Sequence, residues 1–174
     1  MNELILSKLE VGTLEVKNQI NSNVIVQSGT AAEDLTGVTS DTVWYASTTQ
    51  AGEITLPQAT AFNVGMKIKL IAGANWSSTA FLVGFDNAGS TVLHGYLRVG
   101  TLNAVLTTGF AVTANAKSLT IDANAVATAG GGIGSTYEFT YIAKNVVHVA
   151  ANGYLTTGTV ATTAAASTTT GTNA

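Results

Sequence analysis

Met66-Lys67-Ile68-Lys69-Leu70 alternates apolar with basic side chains at every step. A period of two is that of a pleated strand, so Met66, Ile68 and Leu70 are expected to face a core and both lysines to face water. Upstream, Thr42-Val43-Trp44-Tyr45-Ala46 is β-branched and aromatic, and Gly52-Glu53-Ile54-Thr55-Leu56 alternates until Pro57 removes a ladder donor. Downstream, Tyr137, Phe139 and Tyr141 share one face opposite Glu138 and Thr140. Lys144-Asn145 then turns the chain into Val146-Val147-His148-Val149, a hairpin whose second strand is expected to end at Asn152-Gly153.

Between these landmarks the same vocabulary continues. Ala80-Phe81-Leu82-Val83-Gly84-Phe85 is an apolar run closed by Asp86-Asn87-Ala88-Gly89, and residues 91–99 are its expected hairpin partner. Ala104-Val105-Leu106, Phe110-Ala111-Val112-Thr113 and Ser118-Leu119-Thr120-Ile121 read as short strands separated by Gly109 and by Ala114-Asn115-Ala116-Lys117. No window of about 10–12 residues sustains an i, i+3, i+4 apolar pattern, so helices should be few. Strands spaced by roughly 8–12 residues with turn signals between them indicate an all-β fold, a β-sandwich or a jelly-roll-like barrel. The only internal recurrences are Thr-Gly and Ala-Asn dipeptides, which are turn vocabulary and give no solenoid period.

The ends differ from the middle. Residues 1–38 are expected to form an N-terminal arm, 39–158 the β domain and 159–174 a low-complexity Thr/Ala tail, disordered or docked as a loose strand. The first twenty residues carry Leu4, Ile5, Leu6, Leu9, Val11 and Leu14 among charged side chains, a span too short to bury these groups by itself. They are therefore candidate anchors on a partner. The opening Leu4-Ile5-Leu6 run is too short for a secretory leader core, and no stretch approaches the roughly 18 apolar residues of a membrane span, so no membrane partner is expected.

Charge is scarce. Charged residues make up 10% of the 174 and hydrophobic residues 46%, against about 25% charged in an ordinary soluble domain. The exterior must then consist mainly of Thr, Ser, Asn, Gly and Ala, which solvates poorly when bare and suits burial against other copies or a larger assembly. A net charge of −3 with a single arginine, Arg98, offers no basic cluster for phosphates, so nucleic acid is not an expected partner. With no cysteine, disulfides and thiolate chemistry are excluded.

Reactive constellations are equally thin. The histidines are His94 and His148, each on an expected strand and without a His-x-x-x-His or carboxylate companion in sequence, so no metal site is assigned. No Gly-x-Ser-x-Gly elbow occurs, and Asp41, Glu53, Asp86, Asp122 and Glu138 fall at expected strand edges or turns, where acids ordinarily meet solvent. Ala129-Gly130-Gly131-Gly132-Ile133-Gly134 lacks the Gly-Lys-Ser/Thr and the helix of a phosphate loop and reads as a flexible loop. No catalytic residue and no cofactor is assigned. Trp44 is expected to fill the core, whereas the Asn75-Trp76-Ser77-Ser78 loop reads as exposed, making Trp76 a candidate aromatic contact for a sugar ring or a partner.

The block Asp41-Thr42-Val43-Trp44-Tyr45, Gly52-Glu53-Ile54-Thr55-Leu56-Pro57 and Val64-Gly65-Met66-Lys67-Ile68-Lys69-Leu70-Ile71-Ala72 resembles a pattern of bacteriophage virion proteins. There a strand ending in an aromatic precedes an Ile-Thr-Leu-Pro strand, a small-residue link to Gly and an alternating strand. Gly134-Ser135-Thr136-Tyr137-Glu138-Phe139, Val146-Val147-His148-Val149 and Asn152-Gly153-Tyr154 resemble the final hairpin and Gly-rich exit of that family, though Val147 stands where an aromatic is often found. The resemblance spans residues 40–158 and implies a capsid decoration or cement protein on the exterior of a virion, commonly a homotrimer seated where capsomers meet on the major capsid protein. It carries no catalytic residues. The competing expectation is a carbohydrate-binding or host-adsorption module of a head fibre or tail, with glycan binding the less favoured of the two.

Overall fold

The computed structural model describes residues 23–29, 31–48, 53–76, 81–86, 90–101, 104–111, 116–121, 131–155 and 166–169. Among these there is no helix; the chain runs through twelve strands in two mixed sheets. They are β1 (Asn23–Gln27), β2 (Glu33–Asp34), β3 (Thr42–Ala46), β4 (Ile54–Leu56), β5 (Lys67–Ala72), β6 (Phe81–Phe85), β7 (Val92–Thr101), β8 (Ala104–Ala111), β9 (Ser118–Ile121), β10 (Thr136–Ala143), β11 (Val146–Leu155) and β12 (Ala166–Thr169). The larger sheet has the order β1-β3-β5-β10-β11-β7-β8 and the smaller β12-β9-β6-β4-β2.

From β1 to β6 the chain changes sheet at every step. β1, β3 and β5 therefore stack in parallel on one side, and β2, β4 and β6 in parallel on the other. These are stacked coils, although no sequence repeat announces them. What recurs is the alternation of buried and outward side chains, and many residue combinations satisfy that. β7 returns to the larger sheet without joining β5. The hairpin β10–β11 occupies the gap, β10 antiparallel to β5 and β11 parallel to β7. The centre of the larger sheet thus comes from residues late in the chain.

Burial follows the alternation. Ile68 and Leu70 are fully buried and Met66 is 6% exposed, while Lys67 faces out. Tyr137, Phe139 and Tyr141 point inward from β10. One apolar cluster draws on both sheets: Trp44, Ile68, Phe139 and Val149 from the larger, Ile54, Leu56, Val83, Phe85 and Leu119 from the smaller. Phe85 and Phe139 meet edge to face across it, centroids 6.5 Å apart. Fully burying one such side chain is worth about 1.5–3 kcal/mol.

Several expectations change. The segments 80–85 and 91–99 do not form a hairpin: β6 pairs with β4 and β9, β7 with β11 and β8. Two strands that each carry an apolar face can bury it side by side in one sheet or face to face from two, and turn residues do not distinguish these outcomes. Gly109 does not break a strand, since β8 runs through it against β7. β11 continues past Asn152-Gly153 to Leu155, held by its parallel partner β7. Residues 23–38 contain β1 and β2, and Leu35 is buried. In the tail, β12 pairs antiparallel with β9. The hairpin β10–β11 has the expected turn, with Asn145 at φ 64°; asparagine tolerates this left-handed conformation better than most residues.

Candidate contact surface

The starts of β1, β3, β5, β7 and β11 and the end of β10 lie at one end of the larger sheet, as the pairings of Asn23 with Thr42, of Thr42 with Ile68 and of Val146 with Val92 require. The loop between β4 and β5, residues 57–66, caps this end and contains no charged side chain. Backbone bonds fix it there: Gly65 N donates to Tyr141 O at 2.7 Å and Asn145 N to Ala59 O at 2.9 Å. Tyr141 Oη reaches back to Pro57 O at 2.9 Å, so the residue that fills the core also ties down the loop.

Within the loop Asn63 organises a tight turn. Its Oδ1 accepts from Thr60 N at 2.8 Å, its Nδ2 donates to Gln58 O at 2.8 Å, and its carbonyl accepts from Met66 N at 3.1 Å. Gly65, at φ 94°, supplies the left-handed residue the exit demands. Phe62 sits at the tip of this rigid turn and is fully exposed, at 101% of its reference area. Val64, in the same loop, and Ile142, near the end of β10, are each half exposed. Two clefts of about 310 Å³ flank Phe62, one reaching Asp41 and Met66, the other Val38, Gln58 and Asp86. An exposed phenyl ring on a pre-ordered loop loses little entropy on docking, the usual character of an interface hot spot.

The outer face of the larger sheet continues the apolar character along its β1 edge. Val24 and Val26 are 64% and 60% exposed, and Val26 lies beside the exposed Tyr45 of β3. β1 carries no Lys, Pro or bulge, the devices that blunt a free edge. Asn23, at the start of β1, is at the Phe62 end.

The anchors expected from sequence, Leu4, Ile5, Leu6, Leu9, Val11 and Leu14, lie outside the described residues. Trp76, the candidate aromatic contact, is buried at 3%. Its ring stacks on Tyr137 at 5.7 Å and tilts against Trp44 at 6.5 Å, because Trp76 N donates to Gly131 O and so folds the loop inward. Gly131, Gly132 and Gly134 lead directly into β10, so this glycine run shapes a turn that receives Trp76. Asp41 Oδ1 accepts from Lys67 N at 2.9 Å, and Glu138, in mid-strand on β10 and not at an edge, pairs with Lys67 at 3.6 Å. Among the described residues no group of three or more His, Cys, Asp or Glu could enclose a metal ion.

Sequence reading missed Phe62. The available signal was its isolation: one large apolar residue in Ala59-Thr60-Ala61-Phe62-Asn63, between the strand ending at Leu56 and the one starting near Met66, with no alternating neighbour to share a buried face. Comparison with family models, with curated proteins and with solved structures finds no match to this chain.

Proposed function

We propose that the protein is a non-enzymatic virion structural component that binds the outer surface of a capsid-type shell and bridges neighbouring shell subunits, as a homotrimer. The supporting observation is the charge-free loop 57–66 at one end of the larger sheet, where the fully exposed Phe62 stands on a hydrogen-bonded turn two residues from the half-exposed Val64. A surface of this kind gains free energy by being covered, at roughly 25 cal/mol per Å² of apolar area. Asn23 lies at this same end and follows the apolar-rich residues 1–20 in sequence, and in this reading arm and loop address one partner.

In this reading the two sheets form a β-sandwich, supported by the single core they share, and the shell protein is the major partner. Each copy contributes a modest contact, and multivalency across a lattice turns it into lasting attachment. The glycan-binding alternative loses its named aromatic with the burial of Trp76. The test is binding of purified protein to shells lacking it. Phe62→Asp is expected to lower occupancy at least about tenfold while leaving folding stability within about 0.5 kcal/mol, since the side chain touches little of its own fold. Unchanged occupancy of the variant removes this loop from the mechanism.

A further inference from the structure

We propose that His94 and His148 form a chelating site for a borderline divalent transition-metal cation, of the Zn²⁺, Ni²⁺ or Cu²⁺ type, on the outer face of the larger sheet. This is independent of the shell reading. The two histidines of the chain stand directly opposite each other in the parallel ladder between β7 and β11. Laterally paired residues of adjacent strands point to the same face about 4.8 Å apart. That face is the outward one, because Leu93, Val147 and Val149 on either side are buried, His94 is exposed and His148 is half-buried.

Both imidazoles stand on constrained backbone. Gly95, next to His94, has φ 134°, and a Cβ there would fall on the Val149 carbonyl, so β7 and β11 approach as only glycine allows. The His148 ring meets Tyr96 edge-on, centroids 6.2 Å apart at 68°, which restricts its rotation. A metal bound by two imidazoles forfeits little side-chain entropy when one ring is already held. Imidazole selects Zn²⁺, Ni²⁺ and Cu²⁺ over the hard, oxygen-seeking Mg²⁺ and Ca²⁺, and water completes the shell. The charges on this face are largely engaged: Lys67 pairs with Glu138 at 3.6 Å, and the Arg98 guanidinium lies over the Tyr96 ring at 5.2 Å.

Such an ion would clamp β7 to β11, the ladder that joins the late hairpin to the strands beyond it. The experiment is titration calorimetry of the full chain with ZnCl₂, NiCl₂ and MgCl₂ at about pH 7.5, with a thermal melt at each endpoint. One Zn²⁺ or Ni²⁺ per chain, a raised melting temperature, and at least about a tenfold loss of affinity in each of His94→Ala and His148→Ala are the expected results. No binding of Zn²⁺ or Ni²⁺ by the parent, equal binding of Mg²⁺, or parent-like affinity in either variant overturns the site. Because His94 is exposed, its variant is expected to fold as the parent does, and an unchanged melt without metal checks this.

Discussion

Gly95 is a residue whose side chain, or lack of one, governs how closely two strands approach. Its φ of 134° and the Val149 carbonyl beside it leave no room for a methyl group. Gly95→Ala is expected to destabilise the fold by about 2–3 kcal/mol, read as a lowered denaturant midpoint at unchanged m. Tyr137 and Tyr141 are a second residue-scale case. Burial raises the pKa of both phenols far above the ordinary tyrosine value. The native state therefore holds them neutral, while the unfolded chain releases their protons near about pH 10. Their contribution is fully present below that pH and is lost as alkalinity rises beyond it. In an alkaline absorbance titration these two should ionise only together with the loss of tertiary structure; ionisation of all tyrosines at an ordinary pKa with the fold intact would contradict this. The inward face of β10 was legible in the sequence because a strict alternation names its own buried side. The glycine was not, since its role depends on a carbonyl that only the folded ladder places beside it.

At the scale of elements, the turn that follows β5 shows how local chemistry is overridden. Asn75-Trp76 has the polar context of an exposed loop, yet Trp76 lies on Tyr137 because Gly131 offers its carbonyl to the Trp76 amide. Trp76→Ala is expected to cost about 3–5 kcal/mol, measured by chemical denaturation, as for any large buried aromatic. A loss of glycan binding without a loss of stability would instead restore this residue as a contact. The strands themselves were readable: β3, β4, β5, β9 and the hairpin β10–β11 follow β-branched content, alternation and turn residues. Their partners were readable only within that hairpin, where a short turn leaves the chain no other choice. β6 and β7 carry the signals of a hairpin and belong to different sheets.

For the molecule as a whole, the central hairpin inserted between β5 and β7 makes the larger sheet depend on pairings far apart in sequence. Such topology closes long loops before it is rewarded and is expected to fold slowly, a matter for stopped-flow refolding. Deletion of residues 1–20 is expected to leave the melting temperature of the β domain within a few degrees and to reduce shell occupancy at least about tenfold, measured by co-sedimentation with bare shells. Undiminished occupancy would assign attachment to the Phe62 end alone. By itself the sequence determined a weakly charged, strand-built chain and which faces of its strands are apolar. Only the tertiary structure decided which strands are neighbours beyond the hairpin β10–β11, that Phe62 is bare and Trp76 covered, and that His94 lies opposite His148 in the ladder. The reason is physical: periodicity along a strand fixes the direction of each side chain, whereas the identity of its lateral neighbour is set by ladders closed across the whole chain.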